Sequence, residues 1–564
     1  MAEFRNQYLA YAEMTWLLQG WARTHPDLLR LVSIGQSSEG RELWLLRVGR
    51  DPDATRPAAW VDGNMHAGEL CGSSVALAIA EDVIALHRGT PTQALPAKVA
   101  EALRDVHFYV MPRMSPDGAE AVLQSGRYVR SSPEDTRKHK GHAYWRSKDL
   151  DGDGRVRTMR CRCDDGELCA LPGYPDVLVP RLPEDDGPFY RVFPEGMIEN
   201  FDGRRLPDPY FLSDNQHDFN RNFPWSWAPE PEQAGAGDFP GCTPETRAVL
   251  TFTAQHPNIF AWLNLHTFGG VLIRPLGHAP DTKLDMGDLA IYRQVEQWMK
   301  ELTGYPTVSG YHEFLYEPEK PIRGDLTDYA YHQRGALAYA VELWDLFRRI
   351  GMDVKKPFVD HYAHLTRKDH ESLVKFDREH NEGRVFMPWR PFVHPQLGEV
   401  EIGGPEPLVG ISNPPYKLID ETCRAQSAAY LRVAALLPRV DARMVARETI
   451  APDLTRFDVR VANSGYLPTF GIAAARKLPH AEPLRIEART VGGARLQAPA
   501  ESIVELGHLE GWGQGLYNGS SIFLPWSRGN ASERIVSLVI QGHGSLTVRV
   551  GSCRVGHKEL SMDC

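Results

Sequence analysis

Ala58-Ala-Trp-Val-Asp-Gly-Asn-Met-His66-Ala-Gly-Glu69 is the stretch from which the chain is read. Ala58 to Val61 is the short apolar run of a buried strand. After it the chain turns, and Val75, Ile79, Val83 and Leu86 fall at helical spacing. A strand, a polar turn and a helix make the repeating unit of α/β sheets. Such sheets place ligands in the loops beyond their strand ends. His66 and Glu69 stand in that loop and form the only His-x-x-Glu of the sequence. Two such side chains converge on one metal ion if the backbone turns between them. Alone, the pair reads equally well as a surface turn.

The pattern continues on both sides. Met14, Leu17, Leu18 and Trp21 predict a helix that His25-Pro26 ends, because proline cannot continue it. Leu43 to Val48, Val106 to Met111, Ile259 to Leu265 and Leu337 to Leu343 read as strands. The fold class expected is α/β, a mixed, mostly parallel sheet covered by helices on both faces. Two stretches break the rhythm. Residues 131–216 are rich in Asp, Gly, Pro and Arg and read as a long insertion. Residues 347–415 are irregular apart from a charged helix at Lys368 to His380. Glu421 to Leu437 resumes a good helix. After Pro438, Phe457, Val459 and Val461 alternate with polar residues, and the pattern recurs at Leu484 to Ala488, Ile535 to Ile540 and Leu546 to Val550. Short strands between turn signals predict a β-sandwich. The domains expected are 1–440, catalytic, and 441–564, a β-sandwich serving structure or docking.

The 564 residues carry 63 Lys+Arg and 73 Asp+Glu, a net charge of −10. That balance argues against a general nucleic-acid binder, which needs a basic face. No run reaches the ~18 apolar residues of a membrane helix, and Met1-Ala-Glu-Phe-Arg-Asn lacks a signal pattern. The expectation is a cytoplasmic enzyme with no membrane or nucleic-acid partner and with free thiols.

Three more features carry chemistry. His266 follows the apolar strand 259–265; two His and one Glu, with a fourth position left to water, make a catalytic zinc set. Glu342 lies inside the apolar run Tyr339-Ala-Val-Glu-Leu-Trp344, where a carboxylate is costly to bury unless paired or functional. It reads as a general base or as an edge-strand residue facing solvent. Asp218-Phe-Asn220-Arg221-Asn-Phe223 offers a guanidinium fork suited to a carboxylate.

Taken in order, these residues resemble the zinc carboxypeptidases of the carboxypeptidase A type. The resemblance adds Ser33 to Arg41, Ser115-Pro-Asp-Gly118, Arg127-Tyr-Val-Arg130 and Asn264-Leu-His266, and it covers about residues 5–345 plus the helix near 421–437. It implies one zinc ion on His66, Glu69 and His266, with Asp218 orienting the first His. It implies Asn220 and Arg221 as holders of the substrate's C-terminal carboxylate. Arg130 would polarise the scissile carbonyl, with Arg146 as the alternative, and Glu342 would act as general base. Tyr316, or else Tyr311, would cap the substrate. Thr327 would line the side-chain pocket, where a neutral residue does not predict a cutter of basic residues. Gly68 stands where many relatives carry an Arg, and Ser115 replaces their Asn.

The function so implied is hydrolysis of the C-terminal peptide bond of peptides with a free carboxylate. A deacylase or amidase on acylated amino acids or unusual short peptides is the alternative enzyme. An inactive peptide-binding homologue is the non-catalytic one. Asp149, Asp151 and Asp153 begin like a calcium loop, yet its twelfth position is Arg160 rather than Glu. A tight Asp/Gly turn is the preferred reading there. Cys161, Cys163 and Cys169 lack a fourth ligand at zinc spacing, and the pair His139 and His142 sits in a basic stretch that reads as solvent-exposed.

Overall fold

A computed structural model describes residues 3–133, 141–209, 217–317, 319–516 and 526–564. His139 lies outside them. The centre is an eight-stranded sheet made of β1 (Leu29–Gln36), β2 (Glu42–Val48), β3 (Ala58–Gly63), β4 (His107–Met111), β5 (Ile259–Thr267), β6 (Val271–Arg274), β7 (Thr307–Ser309) and β8 (Leu337–Leu343). The spatial order is β1-β2-β4-β3-β5-β8-β6-β7. The inner strands β4, β3, β5 and β8 run parallel, while β1, β2 and β6 add antiparallel pairings.

Strand alternation sorts the side chains into two cores. Ala59, Val61, Leu263 and Leu265 pack with the helices Cys71–Arg88 and Ile419–Ala434. Trp60, Tyr109, Trp262 and Tyr329 form the other core with the helix Pro244–Gln255. Both faces are buried, so the inner strands read as nearly continuous apolar runs.

The two irregular stretches are not independent loops. Strands from the first, Thr158–Arg162, Leu168–Leu171, Tyr174–Pro180 and Phe189–Pro194, join Phe386–His394 and Gly398–Pro405 from the second in one six-stranded antiparallel sheet. Glu401 pairs with Arg160 across that sheet. The predicted insertion therefore holds ordered strands. Their alternation is weak because much of this small sheet is half-exposed, and one of their pairings, that of Thr158–Arg162 with Gly398–Pro405, reaches more than two hundred residues along the chain.

Beyond the helix Ile419–Ala434, two four-stranded antiparallel sheets face each other across Phe457, Val459, Ile486, Leu538 and Val548. Tyr466, Leu467, Ile472 and Ala475 from this region nonetheless belong to the core of the central sheet.

Candidate metal centre and carboxylate pocket

The centre forms at the C-terminal edge of β3, β5 and β8. Gly63 and Gly72 touch there: a Cβ on Gly63 would stand 2.5 Å from the Gly72 carbonyl. Only glycines permit that approach, which brings the helix start against the strand and forces the intervening loop outward. Asn64, with φ of 55°, shapes the loop by donating to the carbonyls of His66 (2.7 Å) and Ala67 (3.0 Å). His66 and Glu69 then face His266 at the end of β5. Glu342 is paired in register with His266 on the neighbouring strand β8.

His66 Nδ1 lies 2.7 Å from Glu69 Oε1, His266 Nδ1 lies 3.0 Å from Glu69 Oε2, and the two Nδ1 atoms are 3.1 Å apart. Two imidazole nitrogens and a carboxylate oxygen thus converge with all three residues buried. This donor set suits zinc. The outer nitrogens are tied as well. His66 Nε2 donates to Asp218 Oδ1 at 3.1 Å, and His266 Nε2 to Asn264 Oδ1 at 2.5 Å. Asn264 in turn donates to Asp62 Oδ1 at 2.5 Å, and Asp62 Oδ2 accepts from the indoles of Trp60 and Trp262 at 2.8 Å each. Such outer partners fix imidazole orientation and tautomer.

Burial alone would raise the Glu69 carboxyl, but the two histidines overcome it and hold the group at about 2. Glu342 moves the opposite way. Burial first, and then the Glu69 charge, push its carboxyl well above the usual range, against the pull of Arg130. Asp218 is also buried, yet Arg130, Arg221 and His66 keep it ionised well below its usual value.

Arg130 is placed by its backbone. Its carbonyl accepts from Ala67 N at 2.8 Å, and the Ser131 carbonyl accepts from Ser115 Oγ. A Cβ on Gly118 would meet Ser131 O at 2.2 Å, so the helix starting at Pro116 needs glycine where this segment crosses it. The guanidinium reaches Asp218 Oδ2 (3.0 Å) and stands 3.9 Å from Glu69 Oε1. Arg146 lies elsewhere, 70% exposed and paired with Glu199.

A pocket of about 90 Å³ opens beside the centre, lined by Asn220, Arg221, Tyr316, Thr327 and Glu342 together with His66 and Arg130. Asn220 is fixed by its Oδ1, which accepts from Leu326 N at 2.9 Å, and Arg221 donates to the Asn220 carbonyl at 2.8 Å. Tyr316 stands at the mouth, 64% exposed, and Tyr311 is not part of the lining.

The sequence reading did not single out Asn64, Asp62 or Asp325. Asn264 was read only as part of a motif, although its place two residues before His266 puts both on one strand face. Asp325 lines the small pocket and is 6% exposed. Its Oδ1 caps the helix at Asp328 N, and its Oδ2 has no partner among the described residues. Burial and Asp328 push this carboxyl up to about 8.

Asp149, Asp151 and Asp153 lie close together, but their oxygens accept from the backbone of Gly152, Gly154, Asp153 and Arg155. That is a self-capped turn, and nothing supports calcium there. Cys161, Cys163 and Cys169 are free thiols, and His142 is exposed.

The sequence profile of the zinc carboxypeptidase family matches residues 14–163 and 203–365, more than half of the chain. A family described only as a domain of unknown function, DUF8731, matches residues 439–563. Carboxypeptidase A6 of Mus musculus is 23% identical over 341 residues, 58% of this chain and 59% of that protein. Carboxypeptidase B of Astacus astacus is 30% identical over 131 residues, 23% of this chain and 40% of that protein. The chain thus spans well under two thirds of these relatives' length. Bovine thrombin-activatable fibrinolysis inhibitor, solved with a tick carboxypeptidase inhibitor, shares 15% identity at a TM-score of 0.42, covering 77% of this chain and 98% of that one. Carboxypeptidase A of Helicoverpa armigera gives 18% and 0.40 over 60% and 65%.

Proposed function

This chain belongs to the zinc carboxypeptidase family, and on that premise we propose that it is a zinc-dependent carboxypeptidase that removes the last residue of peptides with a free C-terminus. The observation that carries the reading is one junction. The His66–Glu69–His266 cluster, Arg130 and Glu342 meet a small pocket whose wall holds Asn220 and Arg221.

His66, Glu69 and His266 would hold a zinc ion, which when bound would supply Lewis acidity toward a carbonyl oxygen and lower the pKa of a water toward about 7. The chain supplies the rest. Arg221 and Asn220 hold the terminal carboxylate and so place the last peptide bond at the mouth of the pocket. Arg130 faces the oxygen on which negative charge develops, and its ion pair with Asp218 keeps the guanidinium oriented. Glu342 takes a proton from the attacking water and returns it to the leaving amine nitrogen.

The test is mass spectrometry of a peptide panel with free or amidated termini, using zinc-loaded protein. Loss of single residues from free termini only is the expected result. Internal cleavage, or equal cleavage of amidated peptides, would refute the carboxylate anchor and with it the exopeptidase reading.

A further inference from the structure

A second and much larger chamber, about 670 Å³, also borders the candidate metal cluster. It shares His66 and Arg130 with the small pocket, and Glu69 lines it too. The two chambers therefore share the residues beside which the bond would be cut. With the residue to be released in the small one, the large one lies open to the retained part of the substrate.

The walls of the large chamber come mostly from outside the central sheet. Val122 and Val129 form the floor. Val192 and Phe193 come from the accessory sheet, Val156 from the loop before its first strand, and Leu408 from the segment that follows its last strand. Leu408 lies over Gly68, 4.0 Å from where a Cβ would stand, so the metal-binding loop presents no side chain of its own there. Asn413 fixes this arrangement by donating to the carbonyls of both Gly68 (2.7 Å) and Leu408 (2.8 Å).

Charged groups line the chamber but largely satisfy one another. Glu406 pairs with Arg155 at 2.8 Å and lies 3.6 Å from Arg157, and Arg157 also pairs with Asp153. Arg127 and Asp208 add one charge of each sign. What remains for a ligand is an apolar surface of the volume typical of small-molecule sites, about 300–1,000 Å³.

Resting on the carboxypeptidase reading, we propose that this chamber binds the retained acyl portion of the substrate and selects bulky apolar groups immediately before the scissile bond. Apolar peptide residues and a fatty acyl chain present the same chemistry, and separate arms of one experiment distinguish them.

The experiment compares kcat/KM for acetyl-Gly-Gly-Xaa, acetyl-Phe-Leu-Xaa and dodecanoyl-Xaa, with Xaa as Ala, Leu, Phe, Lys or Glu. The expected result is an advantage of about tenfold or more for at least one apolar series, since apolar burial is worth that much per large side chain. Whichever apolar arm is faster names the source. The ratio of apolar to glycyl kcat/KM should fall several-fold in Leu408→Asp and in Val192→Asp; being a ratio, it is unaffected by a change in the folded fraction. If both variants misfold, the wild-type comparison alone decides. Equal rates across the three series would overturn the chamber proposal and leave the hydrolase reading intact. If nothing is hydrolysed, dansyl-Phe-Leu-amide is titrated by fluorescence. Binding that both variants lose would keep the chamber and remove the hydrolase reading, and no binding would overturn both.

Discussion

At the scale of single residues, the site separates groups that bind from groups that orient. Glu342→Gln leaves the three candidate metal ligands untouched and removes the proposed proton carrier. We expect full zinc content by elemental analysis and a kcat lower by about 10²–10⁴; turnover near that of the wild type would remove Glu342 from the mechanism. Asn264 lines neither chamber. Asn264→Leu would free the His266 ring from the link to Asp62, and zinc affinity should fall about 10–100-fold in chelator competition. The candidate metal ligands are legible in sequence because few residue types offer nitrogen or carboxylate donors. The Asn264–Asp62 link is not, because it joins residues 202 positions apart and exists only through the register of β3 with β5.

At the scale of elements, β4 begins with a histidine that the sheet buries completely. His107 Nε2 donates to the Arg50 carbonyl at 2.9 Å, and Nδ1 has no partner among the described residues. Burial pushes the imidazole down to about 4. Below pH 6.5 the unfolded chain binds this proton and the folded chain does not, so stability is lost as pH falls from 6.5 toward 4. The full loss from this one group is about 3 kcal/mol. Urea midpoints at pH 7 and pH 4.5 should lie closer together in His107→Gln than in the wild type; an unchanged gap would assign the acid sensitivity elsewhere. The loop around the metal centre depends on a different distant element. Asn413 is buried, accepts from Cys71 N at 2.8 Å and donates to Gly68 and Leu408. Asn413→Ala would leave buried backbone groups unpaired at about 1–3 kcal/mol each. A lower melting temperature together with weaker zinc retention is the expected pair of results. Helices and inner strands were readable because their apolar spacing is locally complete. The accessory sheet was not, since its strands are short and half-exposed and are joined by pairings such as Arg160 with Glu401.

At the scale of the whole molecule, the C-terminal sandwich is built into the body. Arg554 is 3% exposed and donates to the carbonyls of Ile259 (2.7 Å) and Arg334 (3.0 Å), one at the start of β5 and one beside β8. Asp288 accepts from Ala473 N and Ala474 N at 2.6 and 3.0 Å across the same junction. Arg554→Ala should cost about 2–5 kcal/mol by stranding one buried and one part-buried carbonyl. Calorimetry should still show one transition, because Tyr466, Leu467, Ile472 and Ala475 belong to the central core. Two separated transitions would mean that the sandwich unfolds alone. The change of texture after Pro438 marks where the sandwich strands begin along the chain. It does not reveal that the residues after it complete the core before it.

The sequence by itself determined what local order can encode. Strand and helix periods, the donor types at His66, Glu69 and His266, the carboxylate of Glu342 inside an apolar run and the Asn-Arg pair at 220–221 are all visible without a fold. Only the tertiary structure decided what those groups face. It set His266 beside Glu342 through strand register, tied Arg130 to Asp218, put Asp325 into the small pocket, and made one sheet from two irregular stretches to wall the large chamber. The physical reason is range. Periodicity and residue chemistry act over a few positions, whereas packing, burial and proton affinity arise between groups that the chain brings together from hundreds of positions apart.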